Sequence, residues 1–543
     1  MMTTEMTTVH PRTYYCHAFL FRIAFGESKM LRRCLLLLTL SFTLSAAALF
    51  GRDLQTVSAD TIILTVLLSP GEPPLQVTLR QMMDIYKDPG FSAAIIEHSR
   101  VVWAKGFGVT TPGGNTPVTP GTLFQAASIS KPVTAAGGLW LVQHGKVSLD
   151  EDVNLKLKSW KVPENDFTAT QKVTLRRLMS HNAGFNVHGF AGYAQDSPLP
   201  TAEQTLDGLP PANNPPIRVT VVPGTQCIYS GGGVTVEGLL IRDVSGQSFE
   251  EFMRRNVLLP AGMTNSTFQQ HLPRAVAARA ATGTRGDGQP VPGRWHLYPE
   301  LSPDGLWSTP SDLARFAIEI ALSAHGGANH VLSQPVAREM LTVQCHDVPG
   351  SAGGIALGFG IGYQNHPALF RHSGGNDGFG SFLTMDADAG WGYAAMGNSD
   401  NFESIDNHVV ETIAKLNGWD YPSRPQSFGE ELFIIHAIRG MQAALDHYQR
   451  AKSTGFAGQN HDYKALNLFG YSLLREKQFR DAITVFKLNV AEYPRDADTY
   501  DSLAEAYMDA GERESAIQNY EESLRLNPKN QNAVSQLKKL RAK

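Results

Sequence analysis

Cysteine is scarce. Four cysteines in 543 residues (Cys16, Cys34, Cys227 and Cys345) cannot make a disulfide scaffold, and none forms the Cys-x-x-Cys pair typical of structural zinc. Excess charge of either sign is missing too. Lys plus Arg number 47 and Asp plus Glu 51, a net charge of −4. With no basic run, the chain has no electrostatic footprint for nucleic acid. The absence of Gly-x-Ser-x-Gly excludes the nucleophile elbow of α/β-hydrolases. There is no His-Glu-x-x-His, and no Gly-Lys-Ser/Thr follows Gly231-Gly232-Gly233, so zinc-protease and phosphate-loop readings fall away. Nothing after the first fifty residues is apolar for long enough to span a bilayer, Thr61–Leu68 included. What remains is an ordinary globular composition, 42% hydrophobic and 18% charged. The length accommodates about three or four domains.

The N-terminus carries a targeting signal. Lys29, Arg32 and Arg33 precede the apolar run Cys34–Leu44, and Ala46-Ala47-Ala48 offers a small-residue cleavage site. Residues 30–48 are expected to be a signal peptide, with an uncleaved anchor as the alternative. A start is expected at Met30, leaving 1–29 as an over-extended N-terminus. The mature protein is therefore expected to be secreted or periplasmic, touching a membrane only if the segment is retained. In an oxidising compartment Cys227 and Cys345 are candidates for a bridge.

After a linker over 49–72, a short helix is expected near Val77–Tyr86. Phe91–Ile96 and Val101–Val109 then read as a hairpin around His98-Ser99-Arg100. Helical patterns follow at Ser128–His144, Val234–Val244, Phe249–Leu259, Asp312–Leu322 and Ser404–Leu416, with Thr309 as N-cap and Pro310 at the first position of the fourth. Phe379–Met385 and Gly392–Met396 read as strands, and 196–224 as a long surface segment. Strands at both ends with helices between predict one α+β unit over 73–425 whose sheet joins N- and C-terminal strands.

The tail has a period. Gly470 and Ala504, Ala482 and Ala516, Phe486 and Tyr520, and Pro494 and Pro528 all stand 34 residues apart. That spacing resembles the tetratricopeptide repeat. Two units are expected, about 463–496 and 497–530, with a last helix at Asn532–Leu540. They occupy an all-α region over 456–543, preceded by a connecting segment at 426–455 in which Phe428–Tyr448 packs as one helix. Such repeats imply a surface for a protein or peptide partner. Deleting 456–543 is expected to spare small-substrate turnover.

Ser128-Ile129-Ser130-Lys131 places a serine and a lysine one helical turn apart on one face. An amine held neutral by its surroundings can take a serine proton, and a helix N-terminus offers a backbone N–H to an oxyanion. A second Ser-x-x-Lys at Ser535–Lys538 falls in the repeats and carries no such meaning. The first has company: Tyr229-Ser230-Gly231 after Pro223-Gly224-Thr225, and His372-Ser373-Gly374-Gly375. In this order the motifs resemble those of penicillin-recognising serine hydrolases, nearest the class C β-lactamase-like group with its D-alanyl peptidases and esterases. Leu175–Gly184, Leu258–Thr267 and Gly305-Leu306-Trp307-Ser308-Thr309 support the likeness, which covers about 75–420.

The resemblance implies a β-lactamase/transpeptidase-like fold and an acyl-enzyme on Ser128. It makes Lys131 and Tyr229 the proton-handling partners, without choosing between them as principal base. It implies an oxyanion hole from the backbone N–H groups of Ser128 and Gly375. His372, Ser373, Gly374, Gln125 and Gly231 are implied to contact the substrate. No metal or organic cofactor is called for. Two departures matter: Gly231 stands where an asparagine is common, and His372 where a lysine is. The histidine is expected to make any preference for anionic substrates pH-dependent, and both changes favour an esterase or peptidase as much as a β-lactamase. Trp307 is open between lining the cleft and packing, while His181 and Asn182 are expected to brace a turn. The rival class is an inactive scaffold working through its repeats.

Overall fold

The computed structural model describes residues 58–68, 72–346, 353–363, 366–422, 427–455 and 464–542. Residues 30–48, expected from the sequence to be a signal peptide or anchor, and residues 1–29 lie outside them. None of the described helices is long and apolar enough to cross a membrane.

A small ribbon, β1 (Ile63–Val66) with β2 (Leu75–Thr78), opens the chain. Thr78 ends it and caps helix α1 (Leu79–Ile85) through a reciprocal bond with Gln81. The expected helix near Val77–Tyr86 therefore begins two residues late, because Val77 is buried as a strand residue. The hairpin is present: β3 (Gly90–Glu97) and β4 (Arg100–Gly108) meet at His98 and Ser99, both with positive φ, 49° and 54°.

Two short strands, β5 (Phe124–Gln125) and β6 (Trp307–Ser308), pair with each other. The later strands are β7 (Gly354–Ile355), β8 (Gly360–Tyr363), β9 (His366–Asn376), β10 (Phe379–Asp386) and β11 (Gly392–Gly397). Seven of these strands form one antiparallel sheet in the order β4-β3-β11-β10-β9-β8-β7. β3 lies beside β11, so N- and C-terminal strands share the sheet, as the α+β reading requires. Strand β9 has no apolar alternation of its own. Arg371, His372, Ser373, Gly374 and Gly375 form a ladder only because β10 pairs along their whole length.

Alternation sorts the sheet's side chains into two cores. Ala94, Ile96, Ala394 and Met396 face the larger one, with Phe316 and Ile320 of the helix Pro310–Ala324. Thr309 caps that helix, accepting from the Asp312 N–H. Phe91, Ala93, Tyr393 and Ala395 face the second core, with Phe402, Ile405 and Val409 of the helix Phe402–Asn417. The segment 196–224 is more built than its composition suggests. It holds a helix at Ala202–Asp207 and buries Leu206, Ile217 and Val219.

The second core continues into the tail. Instead of one helix over Phe428–Tyr448, two helices, Phe428–Arg439 and Met441–Ser453, break at Gly440, whose φ is +88°. Helices Lys464–Arg475 with Phe479–Glu492, and Ala497–Asp509 with Arg513–Leu526, follow as hairpins, closed by Gln531–Ala542. The small residues of the 34-residue period mark helix crossings. A Cβ on Gly470 would come within 2.5 Å of the Phe486 ring.

Candidate active site

Ser128 sits in the 3-10 turn Ala127–Ile129 that feeds the helix Ser130–Gln143. Ala127 holds φ at +47°, a left-handed conformation that costs a residue with a Cβ on the order of 1–2 kcal/mol. Its neighbours hold it there. The Ser130 hydroxyl donates to Ala127 O at 2.5 Å and accepts from the Leu306 N–H at 3.0 Å. The Ser381 hydroxyl, on β10, donates to Ala126 O at 2.8 Å.

Lys131 is 2% exposed. Its ammonium donates to Ser128 Oγ at 2.7 Å, Pro303 O at 3.0 Å and Asp304 Oδ1 at 3.1 Å. Tyr229 hydrogen-bonds to it as well. Burial pulls the Lys131 pKa down, but the Asp304 carboxylate and Tyr229 outweigh it and leave it above the ordinary lysine value. That direction favours the ammonium form over the neutral amine that would take the serine proton.

Tyr229 is positioned by the residues around it. Ile228 N donates to His181 O at 2.7 Å and Ser230 N to His181 Nδ1 at 3.2 Å. Ser230 then caps the helix Gly231–Ser245, accepting from the Gly233 N–H at 3.0 Å. His181 thus braces the turn, as expected, and its ring lies 4.3 Å from that of Tyr229. His188 and His372 flank the same ring at 4.8 and 6.2 Å. Lys131 Nζ stands 5.0 Å from the Tyr229 ring centre. Cys227, two residues earlier, is bonded to Cys345 with Cα atoms 6.0 Å apart. A cross-link across 118 residues contributes typically about 2–4 kcal/mol and tethers the tyrosine segment.

His372 is half-buried at the cleft. Loss of hydration and then the charge of Lys131 push its pKa down to about 3. That direction weighs against a pH-dependent anion preference near neutrality.

The cleft holds about 380 Å³. Ser128, Tyr229, His188 and His372 line it, with Phe382 of β10 and Asn407 of the helix Phe402–Asn417. Ser373, Gly374 and Gly375 form part of its wall. Gln125 and Gly231 are not brought to it. Gln125 is buried, donating to His296 O at 2.7 Å and accepting from Asn376 Nδ2 at 3.0 Å. Gly231 is buried at a helix start, its N–H bonded to His188 O. Trp307 packs, 1% exposed, against Trp295 and Phe379.

Gly374 is where β9 meets the nucleophile turn. A Cβ there would lie 2.4 Å from Ala126 O and 2.8 Å from Ser128 N, whereas one on Gly375 would meet nothing within 4 Å. Gly374→Ala is expected to lower stability by about 1–3 kcal/mol and to slow acylation at least tenfold. Gly375→Ala should melt like the wild type. Equal melting temperatures for the two variants would contradict this packing.

Sequence reasoning missed two residues. His188 had no motif around it. Asp304 precedes Gly305-Leu306-Trp307-Ser308-Thr309 by one position, which was its only signal.

Known proteins share this fold. The Beta-lactamase family profile matches residues 75–415 and the tetratricopeptide repeat profile residues 497–530. Protein flp of Staphylococcus aureus (strain MRSA252) is 26% identical over 343 residues, 61% of this chain and 62% of its own length. The chain thus spans less than two thirds of that relative. Protein Rv1367c of Mycobacterium tuberculosis is 25% identical over 350 residues, 58% of this chain and 85% of its own. Among solved structures, the octameric penicillin-binding protein homologue from Pyrococcus abyssi superposes with a TM-score of 0.54 at 26% identity, covering 65% of this chain and 79% of that one. The β-lactamase/D-alanine carboxypeptidase from Yersinia pestis, complexed with citrate, shares the fold at 22% identity and TM-score 0.51, covering 62% and 96%. With its profile spanning most of the chain and a serine hydrolase fold beneath it, this protein belongs to the beta-lactamase family.

Proposed function

We propose that this protein is a serine hydrolase that cleaves an ester or amide through an acyl-enzyme on Ser128. The observation that carries the reading is the buried Lys131 ammonium 2.7 Å from Ser128 Oγ at the floor of an open cleft. Oγ attacks the carbonyl carbon, and the carbonyl electron pair moves onto its oxygen, facing the N–H groups of Ser128 and Gly375. The serine proton passes into the cluster beneath and on to the leaving atom. Water then repeats the sequence on the acyl-enzyme.

Small neutral esters and amides fit the cleft better than substrates presenting a carboxylate. His372 is uncharged, and no lysine or arginine is among the lining residues. Penicillins and D-amino-acid peptides follow as weaker substrates. The Cys227–Cys345 bridge supports action in an oxidising compartment, secreted or periplasmic. The tail would give a protein or peptide partner its docking surface.

Intact-mass analysis after brief exposure to para-nitrophenyl acetate and, separately, benzylpenicillin tests this. The expected result is ester turnover by the wild type and none above background by Ser128→Ala. A long-lived penicillin adduct would move the reading to a penicillin-binding peptidase. Silence toward both reagents would leave the inactive scaffold.

A further inference from the structure

Asp304 touches both halves of the Ser128–Lys131 pair. Its Oδ1 lies 3.1 Å from Ser128 Oγ and 3.1 Å from Lys131 Nζ. We propose that Asp304 is a catalytic residue, the base that accepts the Ser128 proton, while Lys131 remains an ammonium throughout acylation; the assignment rests on the acyl-enzyme reading above.

The hydrogen-bond inventory carries the argument. Lys131 donates to Ser128 Oγ, Pro303 O and Asp304 Oδ1, and Tyr229 hydrogen-bonds to it as well. An ammonium has no lone pair with which to take a proton. Ser128 Oγ therefore accepts from Lys131 and donates its own hydrogen to Asp304 Oδ1. Asp304 is 4% exposed, and its Oδ2 has no hydrogen-bond partner among the described residues.

The backbone fixes Asp304 from several sides. Asn376 Nδ2 donates to its carbonyl at 3.2 Å, Gly305 N donates to Leu301 O at 2.7 Å, and the Thr134 hydroxyl donates to Ser302 O at 2.8 Å. Burial, with the Asp304 charge adding to it, pushes Glu300 up to about 8 and raises Tyr298. Lys131 is its one cationic partner among the described residues.

The step balances. As the Oγ–carbon bond forms, the Oγ–H bond breaks and its proton moves to Asp304 Oδ1. The Lys131 charge steadies the oxygen losing it. When the carbonyl re-forms, the bond to the leaving atom breaks with its electron pair on that atom, which receives the proton Asp304 took.

The test is the pre-steady-state burst from para-nitrophenyl acetate with the full chain, as wild type, Asp304→Asn and Asp304→Glu, between pH 6 and 9. Asp304→Asn should acylate about 10²–10⁴-fold more slowly at every pH, with Asp304→Glu recovering part of the rate. A burst within threefold of wild type in Asp304→Asn would overturn the assignment. So would a rate in that variant that climbs with pH toward wild type, because a freed lysine would then be the base. If Asp304→Asn does not fold by circular dichroism, the wild-type profile decides. Acylation held down to about pH 5 supports a carboxylate base, whose ordinary pKa is about 3.9. A tenfold loss for each pH unit below 9 overturns it. A wild type that never acylates would overturn the hydrolase reading and this assignment with it, whereas a normal wild-type burst beside an unimpaired variant overturns this assignment alone.

Discussion

Lys131→Met is expected to abolish acylation, slowing it at least ~10³-fold, and to destabilise the fold by about 3–5 kcal/mol. Methionine fills the same volume, so packing is nearly kept. What changes is charge. Asp304 would remain 4% exposed with no cation beside it, and a buried carboxylate without its partner either pays for desolvation or takes up a proton. Protonated, it no longer serves Ser128. The double variant Lys131→Met, Asp304→Leu removes both charges and should regain most of the stability and none of the activity. Urea unfolding of the three proteins checks this. A Lys131→Met variant as stable as wild type would mean that water reaches the pair.

Ending the chain at Gly455 is expected to lower the melting temperature and promote aggregation, while kcat/KM per titrated site stays within about threefold. The unchanged site follows from its lining, which includes nothing beyond Asn407. The stability loss follows from the shared second core. Helix Phe428–Arg439 packs Phe433 against Tyr86 at 5.7 Å on the hydrolase side. It also packs so closely on helix Lys464–Arg475 that a Cβ on Gly429 would sit 2.3 Å from Ala465 O. Leu432, Ile434, Phe469 and Leu473 belong to one continuous cluster. Uncovering any such side chain costs about 1.5–3 kcal/mol. The ion pair Lys87–Glu476, at 2.6 Å, would go with it. The sequence bears only on turnover, which this deletion is expected to spare. Identical melting curves for the truncated and full chains would contradict the shared core.

Much of this protein was legible in its sequence because much of it is local. A serine and a lysine one turn apart share a helix face in almost any context. A 34-residue period reports helix crossings, since the small residues Gly470, Ala482, Ala504 and Ala516 stand there. The alternation in Phe91–Ile96 and Gly392–Met396 placed both strands in a sheet. By contrast, β9 has no pattern of its own, and its strand character comes from β10.

The decisive features of the site were not local. Asp304 reaches Ser128 across 176 residues of chain, and no spacing rule links them. The pairing of Cys227 with Cys345 likewise required knowing where two distant segments run. The pKa shifts of Lys131 and His372 depend on burial and on neighbouring charge, Asp304 for the lysine and Lys131 for the histidine, so the residue types alone do not set them. The sequence by itself determined the Ser128–Lys131 pair, its helix and the order of the motifs, because short-range geometry sets them. Only the tertiary structure decided which group faces the serine proton and which groups carry charge, because proximity across the fold and exclusion of water set those.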